Sequence, residues 1–376
     1  MDALERAVWF AKFRGWRVEG WRRVSPEFVI YLRFAACPDD ECTFAEQLDL
    51  RITLKALLSL LNSLPQLDFL KISEVPFGIG EFPTLLAGAD GTRRLRHLHL
   101  DWCQWPAELW PITESPPWCK LETVSVSYHP PTTTCTGGFS GHIAASVVAQ
   151  MIRAFVNADY IREVEVREGT LISEIIGQLA RIAGPFKNLG RLTLMSVPPT
   201  SADDLVSLLA AASNLSCLTL GACEDLFRGR DNDDGPNGEN GALVQGLSHR
   251  QSQRSSFGTF LPNLAAFKGT IVEALALLKA VDVGSQSLKL ELRHAFRTAP
   301  NTQQDVGVLM EDFSSRLSEA QRSRVRALYI NTCSMDAALG YDEGFEVDDG
   351  SRFVKVVTPE VRAVFCNLEV FDYTGS

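Results

Sequence analysis

Apolar residues recur along the chain in a fixed frame, at the first, fourth and sixth positions of a nine-residue stretch that ends in cysteine. The clearest copy has Leu215, Leu218 and Leu220 at the apolar positions and Cys223 at the ninth. Such alternation of apolar with polar or small residues is typical of a short β-strand with one buried side. The same frame, cysteine included, is found at residues 29–37, 95–103 and 325–333.

Further copies of the frame lack the cysteine but keep the apolar positions. They begin at Leu67, Leu121, Ile161 and Leu189, and looser copies follow at Leu264 with Phe267, at Leu290 with Leu292, and at Leu368 with Phe371 and Tyr373. The starts at positions 67 and 95, 95 and 121, 161 and 189, and 189 and 215 are 28, 26, 28 and 26 residues apart. This pattern and spacing are those of the leucine-rich repeat, whose units are ~20–29 residues long.

Each repeat is predicted to contain a strand and a returning helix. Because a strand alternates with period two, positions 4 and 6 face the interior and positions 3, 5 and 7 face solvent. Leucines at helical spacing after a capping residue predict a helix over residues 200–212, and similar patterns predict helices over residues 53–62 and 271–281. The expected fold is therefore α/β, a leucine-rich repeat solenoid with a curved parallel sheet on the concave face and helices on the convex face. A doubly wound α/β domain is the alternative, but no Gly-rich turn follows the strands.

The frame divides the chain into a short leading segment and one long repeat domain. We expect residues 1–28 to be an N-terminal capping segment and residues 29–376 to be the repeat domain, because a solenoid needs its core edge covered. The leading segment is rich in tryptophan and arginine, so contact with a membrane or nucleic acid is the alternative. Stretches without repeat periodicity are predicted to be inserted loops, the second of them disordered, at residues 128–141, 224–258 and 340–350.

Charge and cysteine content indicate which cellular compartment and which classes of partner to expect. The 376-residue chain has a formal net charge of -10, which argues against nonspecific binding of nucleic acid, since that requires a basic surface. No apolar run reaches the ~18 residues of a membrane-spanning helix, and the start of the chain is too charged for a secretory signal. The nine cysteines include no C-x-x-C pair, so neither a zinc site nor a disulfide framework is indicated. We therefore expect a cytoplasmic or nuclear protein without a cofactor and without a membrane partner.

Side chains at positions 3, 5 and 7 are the candidates for function, since the core does not use them. One strand carries His97, His99 and Asp101 at these positions, and imidazole and carboxylate groups are suitable ligands for the metal of a metal-dependent enzyme. We favour a polar, partner-binding row instead, because no H-E-x-x-H, G-x-S-x-G, Walker A or G-x-G-x-x-G motif occurs. No catalytic, cofactor-binding or metal-binding residue is assigned. The candidate concave surface comprises His97, His99, Asp101, Ser125, Glu163, Glu165, Arg167, Arg191, Thr193, Thr219, Tyr329 and Asn331.

The repeat units with cysteine at the ninth position resemble the cysteine-containing leucine-rich repeats of F-box proteins, and their irregular gaps resemble the divergent fungal members. The resemblance covers roughly residues 29–373. It implies a non-enzymatic protein-recognition scaffold whose repeats hold a substrate for ubiquitination in an SCF-type ubiquitin ligase. In that family the F-box binds Skp1, which connects the receptor to cullin. Residues 1–26 are shorter than an F-box and lack its usual Leu-Pro opening, so a relative without the F-box is also expected. A regulatory or sensor repeat protein of another pathway is the alternative.

Overall fold

The structure, a computed structural model, describes fifteen stretches of the chain. They are residues 16–24, 27–34, 67–73, 95–101, 120–126, 156–167, 169–182, 184–195, 197–221, 242–252, 260–281, 287–296, 302–334, 365 and 367–375. The chain divides into two units, Met1–Gly184 and Pro185–Ser376. Each unit contains helix and a largely or wholly parallel sheet, so the α/β class is confirmed.

In the first unit, the described strands lie side by side in the order of the sequence. They are β1 (Trp16–Val24), β2 (Glu27–Phe34), β3 (Leu67–Ser73), β4 (His97–Asp101), β5 (Thr123–Val126) and β6 (Glu163–Val166). The pairings from β2 to β6 are parallel, whereas β1 pairs with β2 in the antiparallel direction. Strand β1 lies inside the stretch predicted as a capping segment. Helix α1 (Gly169–Ala180) follows β6.

The second unit repeats the arrangement, with described helices between most of its successive strands. Its strands, again in sequence order and all parallel, are β7 (Arg191–Leu194), β8 (Cys217–Leu220), β9 (Ala266–Thr270), β10 (Leu288–Phe296), β11 (Val325–Ser334) and β12 (Val370–Gly375). Its helices are α2 (Ala202–Ala211), α3 (Ala242–Ser252), α4 (Ile271–Ala280), α5 (Thr302–Ser315) and α6 (Glu319–Arg322). Helix α3 contacts both α2 and α4, so these helices also follow one another in sequence order. Among the described residues, no helix is long and apolar enough to cross a membrane.

The predicted inward positions are confirmed wherever the burial of the side chain is described. Positions 4 and 6 of the strands are buried at Leu70, Leu98, Val124, Val126, Val164, Val166, Leu192, Leu194, Leu218, Leu220, Leu290, Leu292, Leu328 and Ile330. The first position of the frame is buried as well, at Leu95, Leu121, Ile161, Leu189, Leu215, Leu264, Val325 and Leu368. These residues form the core against which the helices pack.

Strand β9 contributes an unusual pair of residues to the core. Phe267 occupies position 4 and Gly269 occupies position 6, where the neighbouring strands carry aliphatic residues. A Cβ atom added to Gly269 would lie 2.5 Å from the Phe267 ring and 2.9 Å from a carboxylate oxygen of Glu273. The large ring at position 4 therefore takes the space that a side chain at position 6 would need.

Two of the three predicted helices are described and confirmed. Helix α2 begins after Ser201, which is its N-cap residue but makes no capping hydrogen bond through its side chain. Helix α4 begins after Thr270, whose hydroxyl accepts from the backbone N–H of Glu273 while the Glu273 carboxylate accepts from the backbone N–H of Thr270. This reciprocal capping box satisfies two of the N–H groups that a helix start leaves unpaired. Residues 53–62 lie outside the described part of the chain.

The prediction of an unstructured loop over residues 224–258 is wrong in part, since helix α3 lies within it. Leu243 and Leu247 are buried one turn apart, and Gly246 lets the helix approach α2 closely. A Cβ atom on Gly246 would lie 2.5 Å from the backbone oxygen of Ala202. The predicted loops at residues 128–141 and 340–350, and the rest of 224–258, lie outside the described residues.

The ninth-position cysteine is described in one copy of the frame only. Cys333 lies inside β11 and pairs in register with Ala295 of β10. Strands β10 and β11 are longer than the other strands of the second unit, so here the backbone pairing continues through the ninth position. Cys37, Cys103 and Cys223 lie outside the described residues.

Backbone hydrogen bonds repeat at the point where each strand begins. The carbonyl of Arg96 accepts two N–H groups from the next strand segment, those of Glu122 at 2.7 Å and Thr123 at 3.0 Å. In the second unit the carbonyl of Gly190 likewise accepts from Ser216 and Cys217, both at 2.9 Å. The same two-donor arrangement in both units shows that successive copies of the frame are joined in the same way.

Asparagine side chains add a second link in the second unit, immediately before the first position of the frame. Each amide donates to a backbone carbonyl of the preceding copy, and we call this series the asparagine ladder. Its bonds run from Asn214 to Lys187, Asn263 to Ser213 and Asn367 to Ser323, at 2.6, 3.2 and 2.7 Å. The Asn263 amide also donates to the Asn214 side-chain oxygen at 2.9 Å.

Candidate functional site

The predicted surface residues of the first unit lie in rows that cross neighbouring strands. Strand register places side chains from different repeats next to one another on the polar side of the sheet. One row consists of Phe69, His97, Thr123 and Glu163, and the next consists of Lys71, His99, Ser125 and Glu165. Phe69, Lys71 and Thr123 were not predicted, although they occupy positions 3 and 5 of their own copies of the frame.

His97 is held between two neighbouring strands. Its Nδ1 lies 3.0 Å from the hydroxyl of Thr123 on β5, and its Nε2 lies 3.9 Å from a carboxylate oxygen of Asp68 on β3. Asp68 also accepts from the guanidinium of Arg96. The imidazole is therefore oriented by its neighbours, with about a third of the side chain, 32%, exposed.

His99 lies in a more apolar environment than its position on a polar row suggests. Its ring stacks on Phe69, with the ring centroids 4.8 Å apart. Burial lowers the pKa of His99 to about 4, with smaller contributions in the same direction from Lys71, His97 and Arg167 and an opposing one from Glu165. His99 is consequently neutral at physiological pH, and its ring acts as an aromatic surface with polar edges.

Glu165 joins three of the predicted residues into one cluster. Its Oε2 accepts from the hydroxyl of Ser125 at 2.8 Å, and its Oε1 accepts from Nε of Arg167 at 2.7 Å. Ser125 is 8% exposed, so this hydrogen bond is largely shielded from water. The carboxylate is thus neutralised within the surface by a hydroxyl and a guanidinium.

Serine, histidine and a carboxylate occur together here, but not in the arrangement of a nucleophilic triad. In such a triad the histidine stands between the hydroxyl and the carboxylate, taking a proton from the first and being oriented by the second. Ser125 instead donates directly to Glu165, and His99 stacks on Phe69. This geometry provides hydrogen-bonding edges rather than an activated hydroxyl.

The third member of the suggested metal site is Asp101, the last residue of β4, which pairs in register with Ser73. Among the described residues, no group of three or more His, Cys, Asp and Glu side chains is placed to hold a metal ion. The geometry therefore adds nothing to the interpretation of His97, His99 and Asp101 as a metal site.

The remaining predicted residues lie on the polar side of the second unit. Arg191 is exposed, and Thr193 of β7 and Thr219 of β8 are half-buried neighbours in register. Tyr329 of β11 pairs in register with Glu291 of β10, and Asn331 pairs with Arg293. Arg191, Thr193, Thr219 and Tyr329 therefore belong to this face. The sequence prediction missed several other members of this face, namely Lys268, Lys289, Glu291 and Arg293.

The missed residues make most of the side-chain contacts on this face. Lys268 forms an ion pair with Glu291, and Nζ of Lys289 lies 4.6 Å above the centre of the Tyr329 ring, a cation–π distance. Arg293 donates to the backbone oxygen of Gly221 at 2.7 Å. The missed residues stand at positions 3, 5 and 7 of the looser copies around Leu264 and Leu290. Selecting these positions in the looser copies as well would have included them in the predicted surface.

No protein-family model matches the chain, and no curated protein is significantly similar to it.

Proposed function

We propose that the chain is a leucine-rich repeat solenoid that works as a non-enzymatic scaffold for recognising a protein partner. The observation that carries this proposal is the placement of polar and aromatic side chains in rows across the sheets, opposite the buried positions of the same strands. Solenoids use such repeated surfaces for binding, because each repeat adds side chains to one continuous face. The sequence-ordered strands and the recurring links between copies of the frame also support the solenoid.

The charge on the second unit favours an acidic partner. On β7–β11, the described side chains at positions 3, 5 and 7 include four cations and one carboxylate; these are Arg191, Lys268, Lys289, Arg293 and Glu291. This face is positive although the whole chain has a net charge of -10. Complementary charge speeds encounter and selects among partners more than it adds affinity. We therefore propose an acidic protein segment as the part of the partner that contacts this face.

From the resemblance to F-box repeat proteins, we further propose that the chain is a substrate receptor of an SCF-type ubiquitin ligase or a relative without the F-box. The test is affinity purification of the full chain from a fungal lysate, followed by mass spectrometry. Enrichment of Skp1 and cullin is the expected result. If a different protein is enriched and neither of these is found, the regulatory or sensor alternative replaces the ligase receptor.

Two charge reversals test whether the proposed face makes the contact. Lys289→Glu changes an exposed residue of the face, and Lys187→Glu makes the same change at an exposed turn before β7. We expect Lys289→Glu to reduce capture of the partner at least tenfold and Lys187→Glu to leave it nearly unchanged. Equal capture by both variants would contradict the assignment of the face.

A further inference from the structure

Arg324 carries a buried charge that the described residues leave without an acceptor. It lies in the turn between α6 and β11, with 6% of the residue exposed. Its Nε, Nη1 and Nη2 atoms are all buried, and none donates a hydrogen bond to any residue of the described part of the chain. The backbone is well anchored, because the Arg324 carbonyl accepts from the N–H of Leu288 at 2.8 Å and its own N–H donates to Gln321 at 3.3 Å.

Arg324 stands where other copies of the frame carry a member of the asparagine ladder. Asn214, Asn263 and Asn367 occupy the same place before their strands, and each donates to a carbonyl of the preceding copy. Arginine is longer and does not reproduce this bond. The asparagine ladder is interrupted at Arg324, so a role in linking adjacent copies of the frame does not explain why arginine is found at this position.

A guanidinium stays charged at physiological pH, and burying it without an anion is strongly unfavourable. Burial lowers the pKa of Arg324, but arginine has too high a pKa to give up its proton in a protein. Its planar fork of N–H donors matches the oxygens of carboxylate and phosphate groups. The described residues give this charge no such partner, and an oxyanion beside it would supply one.

The surroundings of Arg324 increase the local positive charge. Arg322 donates to the backbone carbonyl of Ser314 at 3.3 Å, a neutral acceptor. Arg326 pairs with Glu369 at 3.0 Å. Of these three arginines, Arg326 alone forms an ion pair with a carboxylate of the described residues. Arg322 and Ser323 are half-buried and Arg326 is exposed, so the backbone around Arg324 lies close to the surface of the second unit.

We propose that Arg324 is the centre of an oxyanion-binding site at the entrance to β11. The site would take a phosphate or carboxylate group, supplied either by a free anion or by a side chain of a bound protein. It is separate from the polar rows on the sheet, and it does not depend on the function proposed for them.

The test is the midpoint of thermal unfolding of the full chain in inorganic phosphate, in succinate and in chloride, at equal ionic strength and pH. A ligand that binds only the folded state stabilises it, and near saturation the midpoint should rise by roughly 2–4 °C. A response to phosphate alone would identify a phosphate site, and a response to succinate alone would identify a carboxylate site such as an acidic side chain would occupy. Arg324→Met should abolish the response, Arg324→Lys should weaken it because the fork is lost, and Arg326→Met should preserve it.

Two results would overturn the proposal. The first is an unchanged response to the anion in Arg324→Met, since the anion would then bind elsewhere. The second is no response of the parent protein to either anion together with strong destabilisation by Arg324→Met, since the acceptor would then belong to the chain itself. If Arg324→Met fails to fold, the comparison of Arg324→Lys with Arg326→Met decides between the same outcomes.

Discussion

Replacing Leu218 with alanine is the most direct test of the repeat frame. Leu218 occupies position 4 of β8 and is 0% exposed. Leu192 of β7 and Phe267 of β9 flank it in register, and backbone hydrogen bonds hold both neighbouring strands in place. The core therefore has little freedom to collapse around the lost side chain. Removing a large aliphatic side chain from such a site costs about 2–5 kcal/mol, and we expect a value in the upper half of that range.

Urea unfolding followed by circular dichroism measures the effect. For a slope of about 2–3 kcal/mol/M, typical of larger domains, Leu218→Ala should lower the midpoint by roughly 1.2–2.5 M. The matched control is Thr219→Ala on the next residue, which is half-buried and faces the polar side. We expect this control to lower the free energy of unfolding by under about 1 kcal/mol, as is usual for surface positions.

The two variants together distinguish the predicted frame from its neighbour. Shifting a strand by one residue moves every side chain to the opposite face. If the frame were displaced by one position, Thr219→Ala would destabilise more than Leu218→Ala. That result, or equal midpoints for the two variants, would refute the assignment of positions 4 and 6 to the core.

Three further changes test the links between elements. Asn214→Ala should destabilise the second unit by about 0.5–1.5 kcal/mol in urea unfolding, because it removes the hydrogen bond to Lys187; no change would mean that the asparagine ladder is not stabilising. Gly246→Ala should destabilise by about 1–3 kcal/mol, since overpacking against the backbone of Ala202 outweighs the better helix propensity of alanine; a more stable variant would contradict the close helix contact. His99→Gln should reduce the loss of thermal stability when the pH is lowered from 6.5 to about 4. In that interval the histidine binds a proton in the unfolded chain but not in the folded one, where its pKa is about 4. Equal pH profiles for parent and variant would refute the buried, neutral imidazole.

The core positions were predictable because burial imposes a strict period on the sequence. Leu98, Val124, Val164 and Leu192 all stand at position 4 of their copies, and all are buried. The capped start of α4 was also visible, since Thr270 and Glu273 stand three residues apart before an apolar run. In both cases the determining interaction is local or strictly periodic.

Features that depend on contacts between distant residues were not predictable in this way. Helix α3 has a weak apolar pattern and a glycine near its middle, and it packs closely on α2 through Gly246. Strand β9 keeps its place in the sheet because the Phe267 ring fills the space above Gly269. The asparagine ladder did leave a signal, because Asn-Leu recurs at residues 188, 214, 263 and 367, but its meaning depends on which carbonyl lies opposite each amide.

The same periodicity that fixes the core also determines which polar residues become neighbours. Ser125 and Glu165 are 40 residues apart in the sequence, and they meet because positions 5 of adjacent strands pair in register. The residues within these rows differ between the two units. In the first unit Arg167 already neutralises Glu165, whereas in the second the cations exceed the carboxylates and Lys289 is exposed. Because exposed charge attracts a partner and internally paired charge does not, the contact that we propose with an acidic partner is assigned to the second unit.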